Sequence, residues 1–469
     1  MKFTKEFTAT LAVFLSAFYC SGSLAGPIGE LLPPIFDTLV DSTHCRSAHI
    51  TTRPHNRKVV YHQPTGRWFL FYGTGDWDDT DESSGADKEL IAWRSTTDGF
   101  SFSPHRTAVH GNGHSSSVDV ILAGDSLYLT EARFGYWMQR AGYQEVEDSV
   151  QWFSKERMNP DGPNFFSPLE IFSFAVADDS LVLTGRAEAL TGDAHFGHAG
   201  PHYSSLTTDS DGYFWVAARA QTAEYGIYQT WVARSSEPVD ISAWEPFDSV
   251  YLSPGQGTLA PQIIGLDQGK VSLVLFSQAA NGLFHLGYDP ASGSWSEPLK
   301  IGSSYKSKRA SAVFDPGSRR LHVVYTDSTF ALRHRWLAAP YADENWYPPL
   351  SEAGNLVSTI AGADTGDDDL SLSVNPGTNP ATLALLHRGP DEYLRLRYYD
   401  GREWIKKEIN VGANDQELSC DEVSAVADFS QGLAFVYWCR WRSPSTAGRR
   451  NKIGCVRFGL IKDVAGLFR

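Results

Sequence analysis

The chain has 469 residues, a formal charge of −15 at pH 7 and 13% aromatic side chains. Nucleic acids and polyanions in general need a broad basic surface, so this balance excludes such partners. An acidic ligand would have to be met locally, by a few arginines in a cleft.

Residues 1–25 read as a secretory signal: Lys2 and Lys5, an apolar core from Leu11 to Phe18, then Ser23-Leu24-Ala25 before Gly26. Cys20 lacks the small preceding residue of a lipoprotein signal, which argues against lipidation. No later stretch approaches the roughly 20 apolar residues that span a bilayer. A secreted or periplasmic, soluble and monomeric protein with no membrane partner is expected.

From Val59 onward the same phrase recurs seven times: an alternating β-type run, a Gly/Asp/Asn turn, and a second run rich in aromatic and β-branched residues. The copies begin near Val59, Ser115, Tyr203, Pro261, Ala310, Leu370 and Val423. Most are followed by a second hairpin-like stretch, as in LIAWRSTTDGFSFSP from Leu90 and LRLRYYDGREWIKKEI from Leu394. Two hairpins make a four-stranded blade, and a β unit repeated every few tens of residues marks a radial array. The expected fold is all-β, a seven-bladed β-propeller of four-stranded antiparallel blades, with residues 26–469 forming one catalytic domain unbroken by Pro/Ser linkers. The stretch Gly135 to Gly192 is longer than its peers and is expected to carry an extra hairpin or lid. The last unit has one clear outer run, Lys452 to Ile461, so residues near Phe36 to Val40 are expected to supply its missing outermost strand and hide the edge.

Propeller geometry sets which side chains can meet. The innermost strand of each blade starts beside the central channel, and the next strand returns to the same face. Residues just before a first run and just after a second run therefore converge. The second copy offers His110, Asn112, His114, Glu131 and Arg133; the third offers His195, His198, His202, Tyr203, Arg219 and Gln221. The fifth contributes Lys308, Arg309 and Asp327, and the sixth Asp369, His387 and Arg388. Any one of these could cap a strand or pair with a loop. The cluster as a whole points to function, since burying several titratable groups together is costly.

The motifs of other chemistries are missing: no G-x-S-x-G elbow, no HExxH, no phosphate loop. The acidic residues assigned to this face, Glu131, Asp193 and Asp209, show no pairing in sequence of the kind glycosidases use. Proton abstraction beside a carboxylate fits histidines, a tyrosine and an arginine better. Arginine neutralises a uronate carboxylate while a neutral His or ionised Tyr removes the adjacent proton, and a Tyr or His protonates the leaving oxygen.

The stretches HGNGHSSSVDV from His110 and DAHFGHAGPHYSSLTTDSDGYFWVAARAQ from Asp193 resemble the core of the propeller lyases that degrade ulvan, polysaccharide lyase families 24 and 25. The likeness is specific over roughly 50 residues and covers the rest at the level of blades. It implies β-elimination in a sulfated rhamnose–uronate polysaccharide, leaving an unsaturated uronate end. Tyr203 and Arg219 match the tyrosine and the carboxylate-neutralising arginine of that group, with His114 or His110 as base. Arg133, His195, His198 and His202 are then candidates for sulfate or sugar contacts. The chemistry requires no cofactor.

Cys45, Cys420, Cys439 and Cys455 remain after signal removal, an even number suited to disulfides in an oxidising compartment or to a structural zinc. The acidic stretches Asp76–Asp79 and Asp364–Asp369 could bind calcium or be plain exposed loops. Two other classes stay open. STTDGFSFSP from Ser95 resembles an aspartate box of sialidase-like hydrolases, although no Arg-Ile-Pro segment opens the fold; a non-catalytic carbohydrate-binding propeller is the other.

Overall fold

The computed structural model describes residues 36–43, 57–73, 89–110, 116–133, 141–146, 149–154, 169–190, 202–221, 228–250, 258–277, 280–303, 310–359, 369–378, 380–389, 394–405, 418–441 and 454–462. The signal segment 1–25 lies outside them. Seven antiparallel sheets follow one another around a ring, as the seven repeats require. From the centre outwards, blade 1 runs Val59–His62, Arg67–Gly73, Glu89–Thr96 and Arg106–His110. Blade 2 comprises Ser116–Ala123, Ser126–Arg133, Leu169–Ala177 and Ser180–Leu190. Blade 3 comprises His202–Thr208, Phe214–Gln221, Tyr228–Ser235 and Trp244–Val250. Blades 4, 5 and 6 begin at Thr258–Gly265, Ala310–Asp315 and Leu370–Asn375. In blades 4 and 5 the outermost strand is broken into two short pieces, both hydrogen-bonded to the third strand.

Blade 7 closes the ring as expected. Its inner strands Leu418–Ala425, Leu433–Trp441 and Gly454–Ile461 are completed by Phe36–Thr43, paired antiparallel from Phe36 opposite Leu460 to Thr43 opposite Gly454. The long insertion carries a hairpin, Ala141–Val146 with Ser149–Ser154. It adds to the outer edge of blade 1 through parallel pairing of Val109 with Val150 and His110 with Gln151.

The apolar face of each strand is buried between blades rather than under one central core. Tyr128 of blade 2 meets Phe214 of blade 3 with ring centroids 4.4 Å apart. Trp215 of blade 3 packs on Tyr288 of blade 4 at 4.7 Å, and Phe102 of blade 1 on Phe458 of blade 7 at 5.7 Å. Much of the aromatic surplus is thus spent on wedge-shaped inter-blade gaps, where large flat rings suit diverging walls.

Nearest the axis, neighbouring inner strands touch through isolated backbone bonds, such as the parallel bridge of Val374 with Asp428, rather than through a continuous ladder, so other backbone N–H groups need side-chain acceptors. Side chains of the preceding blade supply them. Asp119 Oδ2 accepts from Leu206 N at 2.7 Å, Ser205 Oγ from Ile263 N at 3.2 Å, and Gln262 Oε1 from Ala312 N at 2.8 Å. Ser311 Oγ then accepts from Leu372 N at 3.0 Å and Ser371 Oγ from Ala425 N at 2.9 Å. Asp119 also reaches backwards, its Oδ1 accepting from Arg57 N at 2.5 Å, so one buried carboxylate ties three blades. Desolvation is the largest influence on it and raises its pKa to about 6, against the pull of those two N–H groups and of Arg57.

Candidate functional site

Tyr203 and Arg219 meet at the face where the inner strands begin. His202, the first residue of blade 3, lies opposite Arg219 in the ladder, and the register then slips before Ser205 pairs with Ala217. That bulge puts Tyr203 in the left-handed region at φ 58°, a conformation that costs a non-glycine residue about 1–3 kcal/mol and persists only where neighbours impose it. The neighbours are identifiable. Ser204, buried, exchanges a hydrogen bond with Thr130 of blade 2 at 3.1 Å. Ser205 accepts from blade 4, and Leu206 donates to Asp119. With three successive residues fixed to the two flanking blades, Ser204 and Leu206 to blade 2 and Ser205 to blade 4, the tyrosine is turned towards Arg219, whose Cζ lies 5.6 Å from the centre of its ring. Both side chains are only partly buried and so open to a ligand. A guanidinium over a phenol face is attractive in itself.

Blade 2 brings Arg133 to the same face, at the end of its second strand and opposite Ser116. His110 ends the fourth strand of blade 1, opposite Glu89 and beside Gln151, so its backbone belongs to the blade periphery rather than to the inner rim. His114, His195 and His198 lie outside the described residues, as do Lys308, Arg309, Asn112 and Asp193; of His202, Arg133 and His110 the backbone alone is described. Arg388, grouped by sequence with this face, is neither solvated surface nor open to a ligand but buried at 6% exposure, and His387 and Asp369 are buried beside it.

Two acidic assignments change. Asp209 sits at the opposite end of the blade 3 inner hairpin. There it caps the turn through Asp211 N and Tyr213 N, both at 3.0 Å, and takes Trp215 Nε1 at 2.7 Å, which is why the turn sequence Asp-Ser-Asp-Gly needs it. Glu131, with no partner evident in sequence, lies directly opposite Glu170 on the adjacent strand. The long insertion separates the two in the chain, which hid the pair. Both are fully enclosed, at 0% and 3% exposure. Asp98 of the aspartate-box stretch also acts locally: the N–H groups of Ser101 and Phe100 hold its carboxyl at about 2 and close the turn.

In blade 7, Cys439 lies opposite Cys420 on one side and Cys455 on the other, in one cross-strand row. Their side chains, with Cys45 and the stretches 76–79 and 364–368, lie outside the described residues, where the disulfide, zinc and calcium readings fall. Among the described residues no group of three or more His, Cys, Asp or Glu could hold a metal, and no helix is long and apolar enough to cross a membrane.

No protein-family model matches the chain, and no curated protein matches it by sequence. Solved structures share its architecture. A lectin from Burkholderia pseudomallei, BP39L, is 11% identical and aligns over 85% of this chain and 99% of its own, with a TM-score of 0.51. AofleA from Arthrobotrys oligospora is 11% identical over 81% and 90%, at 0.48. A protein of unknown function from Dyadobacter fermentans is 10% identical over 91% and 99%, at 0.47. At these identities the likeness speaks to the fold alone.

Proposed function

We propose that this protein is a secreted polysaccharide lyase of the ulvan type, cleaving a sulfated rhamnose–uronate chain by β-elimination at the uronic acid. The observation that carries the reading is the Tyr203–Arg219 pair: a phenol held in a strained backbone against a guanidinium, both open to one side of the ring. Arg219 binds the uronate carboxylate and stabilises the negative charge that builds there as the neighbouring C–H is broken. The base takes that proton, the electron pair forms the new carbon–carbon double bond, and the glycosidic C–O bond breaks. Its oxygen leaves with a proton supplied from the other side. Tyr203 serves as acid or second base, and His114, or His110 in its stead, as base. Arg133, His195, His198 and His202 extend the binding surface towards sulfate and sugar. The chain acts as an exported monomer without a cofactor in the chemistry, its leader being residues 1–25 and its catalytic domain residues 26–469.

Glu131 and Glu170 do not supply the carboxyl pair of a hydrolase at this face. Glycosidases need two carboxyl groups flanking the bond to be cut, and these two are closed to any substrate. Incubation with ulvan, followed by the ultraviolet absorbance of the conjugated uronate product, tests the proposal. Arg219→Ala and Tyr203→Phe should each lower turnover by roughly 10²-fold or more, in line with the loss of an electrostatic clamp or a proton-transfer group. Near-full turnover in either variant, or binding of ulvan with no unsaturated product, would overturn it.

A further inference from the structure

A second site opens on the opposite face, where the inner strands end. A cavity of about 430 Å³ lies there between blades 1, 2, 3 and 7, within the range of about 300–1,000 Å³ typical of small-ligand sites. Its depth is set by Arg57. From blade 1 this side chain crosses the central channel, its Nη1 donating to Leu372 O of blade 6 at 3.0 Å and its Nη2 to Ala312 O of blade 5 at 3.3 Å. Two of the five guanidinium N–H groups are thereby used; the others have no acceptor among the described residues. The nearest carboxylate, Asp119, is taken up by the backbone N–H groups of Arg57 and Leu206 rather than by the guanidinium. Arg57 lies as deep as the core yet keeps some solvent contact, which the cavity that it lines accounts for.

Above this cation the wall is aliphatic, from Val59, Val120, Leu122 and Val426. Polar groups, Gln63, Thr207, Thr208, Ser430 and Gln431, surround them. Asp428 is the one acidic residue of the lining; it is exposed, and its carboxylate accepts from Ser430 N at 2.7 Å. Opposed charge at depth, an apolar wall and hydroxyl- and amide-bearing side chains match a small sugar acid: carboxylate inward, C–H face against the valines, hydroxyls outward. A simple alkyl carboxylate would set hydrocarbon against the polar groups, and a neutral sugar would forgo the charge-assisted bonds that the remaining guanidinium N–H groups offer.

We propose that the channel cavity behind Arg57 binds a monomeric sugar carboxylate, independently of the rim that carries Tyr203 and Arg219. Calorimetric titration of the secreted protein with glucuronate, glucose and propionate tests this. Measured in Arg219→Ala, so that the uronate clamp at the rim adds no heat, glucuronate should bind at one site and each of the other two ~10-fold more weakly or worse, the worth of a charge-assisted hydrogen bond or of the lost body. Arg57→Met should abolish the glucuronate heat. Should that variant fail to fold, Leu122→Trp, on a half-exposed wall position, blocks the cavity without touching Arg57 and should abolish it too. The heat from this cavity should survive in Arg219→Ala, although the rim of that variant no longer holds a uronate. No glucuronate heat, equal affinity for glucose, or binding kept in Leu122→Trp and lost in Arg219→Ala would each refute the site.

Discussion

Acid should destabilise this protein through His285, and the size of the effect follows from its surroundings. The ring is fully buried, edge-on to Trp346 at 5.3 Å, with Nε2 hydrogen-bonded to Ser272 Oγ at 2.9 Å. Burial lowers its pKa from 6.5 to about 4. The unfolded chain therefore takes up a proton that the folded one refuses, so the stability His285 contributes is whole above pH 6.5 and drains away as pH falls towards 4. Over the interval from pH 7 to pH 5 the loss is about 2 kcal/mol, using 1.36 kcal/mol per pKa unit. Asp119 acts in the opposite sense: its pKa, raised to about 6, lets the folded state gain a proton first and returns about 1 kcal/mol over the same interval. Comparison with His285→Phe isolates the imidazole, because Asp119 and the other buried histidines are common to both proteins. Urea unfolding followed by tryptophan fluorescence at pH 7 and pH 5 should give a pH slope about 2 kcal/mol shallower in the variant. The orphaned Ser272 hydroxyl lowers its stability equally at both values. An unchanged slope would mean that the imidazole takes up its proton as readily in the folded state as in the unfolded one, and the burial argument would fail.

Asp119→Ala removes the acceptor of two backbone N–H groups, one in blade 1 and one in blade 3, and should cost about 2–4 kcal/mol in denaturant unfolding at pH 7. Asp119→Asn, which restores one acceptor, should fall between it and the parent, and parity of the alanine variant with the parent would sink the stapling account. Tyr203→Gly relieves a left-handed backbone and should raise stability by about 1 kcal/mol while elimination is lost; a destabilised variant would show that the side chain packs rather than acts. Deleting residues 36–43 strips the outermost strand from blade 7 and bares the edge of 454–461. Light scattering should then report a larger species than the parent gives, and a truncation of the parent's size with unaltered melting would contradict the closure.

The blades were legible because their signal is local. Val59–His62 followed by Arg67–Gly73 alternates and turns within one short stretch of chain, and closure by Phe36–Val40 followed from counting strands. The Tyr203–Arg219 contact was legible for the same reason: an inner hairpin returns to the face where it began. What escaped depends on register between distant segments. Glu131 and Glu170 are separated by the insertion that docks on blade 1, and the acceptors along the axis are aspartate in one blade, glutamine in another and serine elsewhere, so no shared letter marks them. Arg57 stands in an irregular run before the first strand, where nothing in the neighbouring residues says that its side chain will span the channel.

That axial ring explains how a strained tyrosine can exist at the rim. A left-handed Tyr203 in an isolated hairpin would relax, since its cost of about 1–3 kcal/mol exceeds what one exposed ladder bond returns. Here relaxation would have to break Ser204 from Thr130, Ser205 from Ile263 and Leu206 from Asp119 together, and each of those groups is buried where water cannot replace the lost partner. The strain is thus held by three junctions at once. Weakening one of them, as in Thr130→Val, should let Tyr203 drift from Arg219 and lower turnover before it lowers the melting temperature.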